Sequence, residues 1–169
     1  MWFTDGIKMA GPVLSFLLCC ASPAYAAPVS AEAQVVAHLY KDFGWQAFAT
    51  QSELFGESLE QQRKDVLARF FSAQLVELLV RDAECEAREK GLCRLDFDIL
   101  FDSQDPVVTD LKIQMLAPGK VLVDFTNPVN GERTAIRFVV TNTSGQWRIV
   151  DVLYGQKPER SLKQTLLKR

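Results

Sequence analysis

The chain of 169 residues contains one histidine, His38, and only four cysteines. A Cys–His catalytic pair or a histidine-rich metal site has almost nothing to draw on. No G-x-S-x-G, H-E-x-x-H or P-loop pattern occurs, which removes the common signatures of serine hydrolases, zinc proteases and nucleotide phosphatases. Positive charge is not in excess either: 19 Lys and Arg stand against 21 Asp and Glu. Neutralising phosphates needs clustered cations, so nucleic acid is not an expected partner. The apolar stretch from Val13 to Ala21 falls far short of the roughly 20 residues that span a bilayer, so no membrane span is expected.

Hydrophobic residues make up 48% of the chain, and the formal net charge is −2. Disorder needs low hydrophobicity with high net charge, so one compact domain is the expectation. The N-terminus carries Lys8, the apolar stretch, and then Ala24-Tyr25-Ala26. Small residues at −3 and −1 suit signal peptidase and predict a signal peptide over residues 1–26, cleaved after Ala26. A buried N-terminal helix is the alternative. A lipid anchor on Cys19 or Cys20 is a third reading, weakened by the bulky residues before them. With cleavage, the mature domain runs over residues 27–169 in the periplasm or outside the cell.

Export leaves two cysteines, Cys85 and Cys93, which read as a disulfide in an oxidising compartment. The short loop they close is worth about 2 to 3 kcal/mol in the chain-entropy picture.

Along the mature chain, Ser30 caps a first helix with Val35, Val36, Leu39, Tyr40 and Phe43 on one face and His38 opposite. Ser58-Leu59-Glu60-Gln61 has the form of a capping box and predicts a second helix with Val66, Leu67, Phe70 and Phe71 inward. Ser72 caps a third, carrying Leu75, Leu78 and Leu79 and ending at Gly91. After Pro106 the apolar period becomes two. "VVTDLKIQML", "VLVDFTN", "RTAIRFVVTN" and "QWRIVDVLYG", joined by Gly, Asn and Pro turns, predict a four-stranded antiparallel meander. The tail "KPERSLKQTLLKR" reads as a short basic helix or a frayed end with a solvated face, or as a contact for a partner or membrane surface. Helices first and hairpins afterwards define an α+β fold.

Three helices followed by such a sheet resemble the nuclear-transport-factor-2-like, or cystatin-like, superfamily. The resemblance implies a cone: three N-terminal helices packed on a curved four-stranded antiparallel sheet. More narrowly, "CRLDFDILFDSQD" with the later "GQWRIVDVLYG" is similar to the secreted bacterial family catalogued as domain of unknown function 3828. That family implies an export route and brings no established activity, so no catalytic residue is carried over.

The aspartates of "CEAREKGLCRLDFDILFDSQD" remain. An EF-hand starting at Asp96 needs Gly and Glu where Phe101 and Val107 stand, so that motif fails. Asp102, Ser103 and Asp105 suit turn capping before Pro106. Asp96 and Asp98 share a face if extended and could meet Arg94 or Arg137; a cation site and a functional pocket are the other readings. No metal site and no cofactor are expected.

For acid–base chemistry the candidate is Asp151, which alternates with Trp147, Ile149 and Leu153 on an apolar face; Asp124 is a second. Pairing of Asp151 with Arg137 or Arg148 is the plainer alternative. The candidate binding residues are Asp151, Tyr154, Arg137, Trp45 and Tyr40. The expected function is an exported, non-enzymatic binding or interaction protein of the bacterial envelope, such as an inhibitor or immunity-type protein holding a protein partner. A small-ligand binder with a cone pocket and a cofactor-free acid–base enzyme using Asp151 are the alternatives. Exposed sheet faces also allow a homodimer.

Overall fold

A computed structural model describes residues 1–2, 30–49, 52–155 and 158–168. Apart from its first two residues, the expected signal peptide lies outside the described residues. No helix among the described residues is long and apolar enough to cross a membrane.

Helix α1 spans Ala31–Phe43, and the Ser30 hydroxyl accepts the Ala33 N–H at 3.2 Å to satisfy its first turn. Val35, Val36, Leu39, Tyr40 and Phe43 are all buried, and His38 faces out. A short 3-10 turn over Gly44–Ala47 follows.

The expected second helix is interrupted. Its stretch holds a 3-10 turn, Leu59–Gln61, and a single helical turn, α3, Lys64–Leu67; a short helix, α2, Ser52–Phe55, precedes them. Gln62 and Arg63 are extended, and Ser58 makes no side-chain cap. Instead the Gln62 amide donates to the Glu57 carbonyl at 2.8 Å and the Ser58 carbonyl at 3.3 Å. Further on, Ile149 donates to the Phe70 carbonyl at 2.8 Å and Ser72 donates to the Ile149 carbonyl at 2.9 Å. Those non-local bonds draw the chain along a strand, where the helical spacing alone would have it coil.

Helix α4, Ala73–Glu89, is capped by Ser72 on the Leu75 N–H and buries Leu75, Val76, Leu78 and Leu79. It ends in a left-handed residue at Lys90, φ 54°, one position before the expected glycine. The cation there suits the negative end of the helix.

The sheet is antiparallel throughout: β1 Thr109–Ala117, β2 Lys120–Thr126, β3 Arg133–Thr143, β4 Gln146–Tyr154 and β5 Arg160–Ser161, in that spatial order. Five strands replace the expected four. Ser161 pairs with Leu153 and Arg160 with Tyr154, and the chain turns at once into α5, Leu162–Leu167. Leu162 and Leu166 are buried, so this part of the tail is docked rather than frayed. The fold is α+β, with α1 contacting β1 to β4.

Val121, Val123, Phe125, Ile136, Phe138 and Val140 alternate inward on β2 and β3. On β4 the alternation slips. Val140 opposes Ile149 while Val139 opposes Asp151, which leaves Val150 as an extra residue. This bulge sends Val152 and Tyr154 into the core and turns Asp151 to the other face, away from the apolar one that strict alternation predicts. On β1 every residue but the half-buried Ile113 is exposed.

Candidate binding site

The cysteines form the expected bridge: Cys85 and Cys93 are disulfide-bonded with Cα atoms 6.1 Å apart. From Cys93 onward the chain threads into the core, burying Leu95, Ile99, Leu100 and Phe101. An irregular buried segment must place each backbone group on a partner. Here carboxylates do most of it.

Asp82, itself buried, accepts from the Arg94 and Leu95 N–H groups at 3.1 Å each and lies 3.5 Å from the Arg94 guanidinium. Glu60 accepts the Ile99 N–H at 3.1 Å. Asp98 Oδ1 accepts from Leu100 at 2.6 Å and from Phe101 at 3.2 Å. The carbonyls are met from the other direction. Tyr40 donates to Leu100 O at 2.5 Å, and Tyr154 donates to Ile99 O at 3.1 Å.

Two carboxylates of this half-dry wall are shifted. Burial pushes Asp98 up to about 7; negative Glu60 adds to the rise, and the two N–H donors oppose it. Glu86 is raised by burial and then by Asp82. Burial also holds Tyr40 and Tyr154 well above the usual phenol value, so both are neutral hydrogen-bond donors.

Over this segment lies an open cleft of about 740 Å³. Its wall includes Glu60, Glu86, Asp96, Asp98 and Asp105, five carboxylates, and among the described lining residues no Lys or Arg. Three lining residues each hold a buried polar atom with no hydrogen-bond partner among the described residues: Trp45 Nε1, Gln46 Oε1 and Asp98 Oδ2. Trp45 is held by a flat stack on Phe55, centroids 5.4 Å apart. Native proteins leave few such atoms, and three on one cleft point to a ligand or ordered water.

The residues singled out from the sequence fall in several places. Trp45 lines the cleft, and Tyr40 lies beneath it in the core. Asp151, Arg137 and Asp102 grip the tail. Asp151 accepts from the Ser161 hydroxyl at 2.7 Å, the Lys163 N–H at 3.0 Å and its neighbour Val152 at 2.8 Å. Arg137 pairs with Glu159 at 3.0 Å and donates to the Gly155 carbonyl, so Asp151 meets neither it nor Arg148. Asp102 pairs with Arg160, whose guanidinium lies 4.0 Å from the Phe97 ring centre and 5.0 Å from that of Tyr154. Ser103 receives the Asp98 N–H on its backbone carbonyl at 2.9 Å, and Asp105 stands exposed at the cleft edge. Asp124 pairs with Arg133 at 2.8 Å.

Glu60, Gln46 and the central position of Asp98 were not evident from the sequence. The signal for Asp98 was its place between Phe97 and Ile99, a carboxylate inside an apolar run. Among the described residues no group of three His, Cys, Asp or Glu is arranged to hold a metal ion. A scan against protein-family models and searches of curated proteins and of solved structures find no match.

Proposed function

We propose that this is an exported, non-enzymatic binding protein of the bacterial cell envelope, and that its binding site is the cleft over Asp98. The observation that carries the reading is that three residues lining one cleft, Trp45, Gln46 and Asp98, each hold a buried polar atom with no partner among the described residues. The cleft's volume of about 740 Å³ lies in the range of small-molecule sites. The disulfide and the absence of a long apolar helix among the described residues are compatible with export through the predicted signal peptide. We also propose that the α+β fold is a nuclear-transport-factor-2-like cone of the domain-of-unknown-function 3828 type. The helix-then-meander order and the β4 bulge support this. Acid–base catalysis through Asp151 has less support, because both its oxygens already hold the tail.

An envelope interaction protein is the second reading, favoured by Phe48, Leu54 and Phe55. These apolar side chains are 74%, 75% and 45% exposed beside Trp45. Native mass spectrometry of protein exported to a bacterial periplasm tests both. A denatured mass lacking residues 1–26, with a small molecule released from the native protein, supports the ligand reading. A bare chain that instead captures an envelope protein through the Phe48 surface, and loses it in Phe48→Ser, supports the second.

A further inference from the structure

We propose that the cleft over Asp98 takes a small organic cation, an ammonium or guanidinium group on a scaffold with an acceptor oxygen. The inference rests on the reading of the cleft as a binding site. Charge is its first support, since five carboxylates line the cleft and no described lining residue is cationic. The cation on the same segment, Arg94, is already engaged with Asp82 and with the Lys168 carbonyl at 2.8 Å.

Asp98 supplies the second support independently. It is only 9% exposed, Oδ1 is anchored by two N–H groups, and Oδ2 has no partner. A buried carboxylate without counter-charge is costly, and a cationic donor at Oδ2 relieves that cost. Gln46 Oε1 is a second unpartnered acceptor on a residue of the same cleft, and the Trp45 N–H, unpaired, calls for an oxygen on the ligand. Trp45 adds ring surface of the kind that attracts organic cations, whereas the Phe97 ring already carries Arg160 at 4.0 Å. A bare divalent ion fits less well, because hard ions want six or more oxygens and no three acidic groups among the described residues are suitably placed.

A free amine and a lysine side chain of a polypeptide offer the same chemistry, so the probes are ethanolamine and Nα-acetyllysinamide. Nα-acetylnorleucinamide is the neutral isostere and acetate the anion. The titration follows the Trp45 indole N–H resonance of the full protein at low salt and about pH 8, above the Asp98 titration. Both ammonium probes should move that resonance, and Nα-acetyllysinamide should bind about tenfold more tightly than its isostere. Asp98→Asn should weaken the ammonium probes about tenfold. Asp96→Asn, an exposed change with no fold to disturb, should weaken them about two- to fivefold. Tighter ethanolamine binding supports a free amine as the source, and tighter Nα-acetyllysinamide binding supports a polypeptide side chain. Equal binding of lysinamide and isostere, or affinities unchanged in both variants, overturns the cation assignment and leaves the cleft a binding site. A Trp45 resonance that no probe moves, acetate included, overturns both.

Discussion

Tyr40 and Tyr154 donate to consecutive carbonyls, Leu100 and Ile99, of one buried segment. One comes from the first helix and the other from the fourth strand, so a single dipeptide ties the two layers together. Each tyrosine is almost wholly buried, and each hydroxyl meets a carbonyl in a dry interior. Tyr40→Phe and Tyr154→Phe should each cost about 1 to 3 kcal/mol. Because the two bonds fix the same dipeptide, the double variant should lose measurably less or more than the sum. Urea unfolding of the four proteins checks this, and strict additivity would count against a shared clamp.

Asp98 makes stability depend on pH with an uncommon sign. Its carboxyl is raised from 3.8 to about 7, so the folded protein holds the proton more tightly than the unfolded chain does. Stability from this group is therefore full below about pH 4, falls as pH rises toward about 7, and is flat beyond. Glu60 from the 3-10 turn is the charged neighbour, and Tyr40 and Tyr154 stay neutral across this window. Asp98→Asn keeps an oxygen for the Leu100 N–H and cannot ionise. Its stability relative to wild type should improve between about pH 4 and pH 7.5, by on the order of a few kcal/mol at most. Urea midpoints at both pH values decide it; a difference that does not move with pH would exclude the buried titration.

Reducing the Cys85–Cys93 bridge, or replacing both cysteines by serine, should lower stability by about 2 to 3 kcal/mol. The bridge closes the turn just before the carboxylate-held segment, so exchange at Arg94 and Leu95 amides should rise first. Intact mass with and without reductant, followed by hydrogen exchange, reads both effects.

Asp151→Ala removes the acceptor shared by the Ser161 hydroxyl and the Lys163 N–H. The segment Arg160–Leu167 should exchange faster, at a cost of about 1 to 3 kcal/mol. Asp151→Asn, which retains one acceptor oxygen, should be milder. If Asp151→Ala left the exchange of the tail unchanged, its role as a clamp would be wrong.

Much of the scaffold is legible in the sequence because it is local. Val35, Val36, Leu39, Tyr40 and Phe43 declare α1 by spacing alone, as Leu75, Leu78 and Leu79 declare α4, and each has a serine cap in place. The four long strands follow from period two and from turns such as Gly145, φ 82°. What escapes the pattern depends on partners far along the chain. The helix expected from Ser58 is not continuous, and at its far end Ile149 bonds Phe70 and Ser72 and draws that backbone into an extended path. The β5 strand exists only because β4 offers an edge to Arg160 and Ser161. The Val150 bulge moves Asp151 off the apolar face by one register step, which no alternation count registers. The cleft is the least legible of all, since Gln46, Glu60 and Asp98 meet only after folding.

Among the described residues, the sheet's first strand has one side without a neighbour in the β1-to-β5 order. Left straight, such a border would accept strands from other copies and grow without limit. Here register breaks fall between Thr109 and Lys112 and between Met115 and Ala117, with Asp110 in a left-handed conformation at φ 54°. Only the run from Lys112 to Met115 stays regular, and it begins with an exposed lysine. An approaching strand would find only that short regular run to pair with, so this border is a poor template for adding strands.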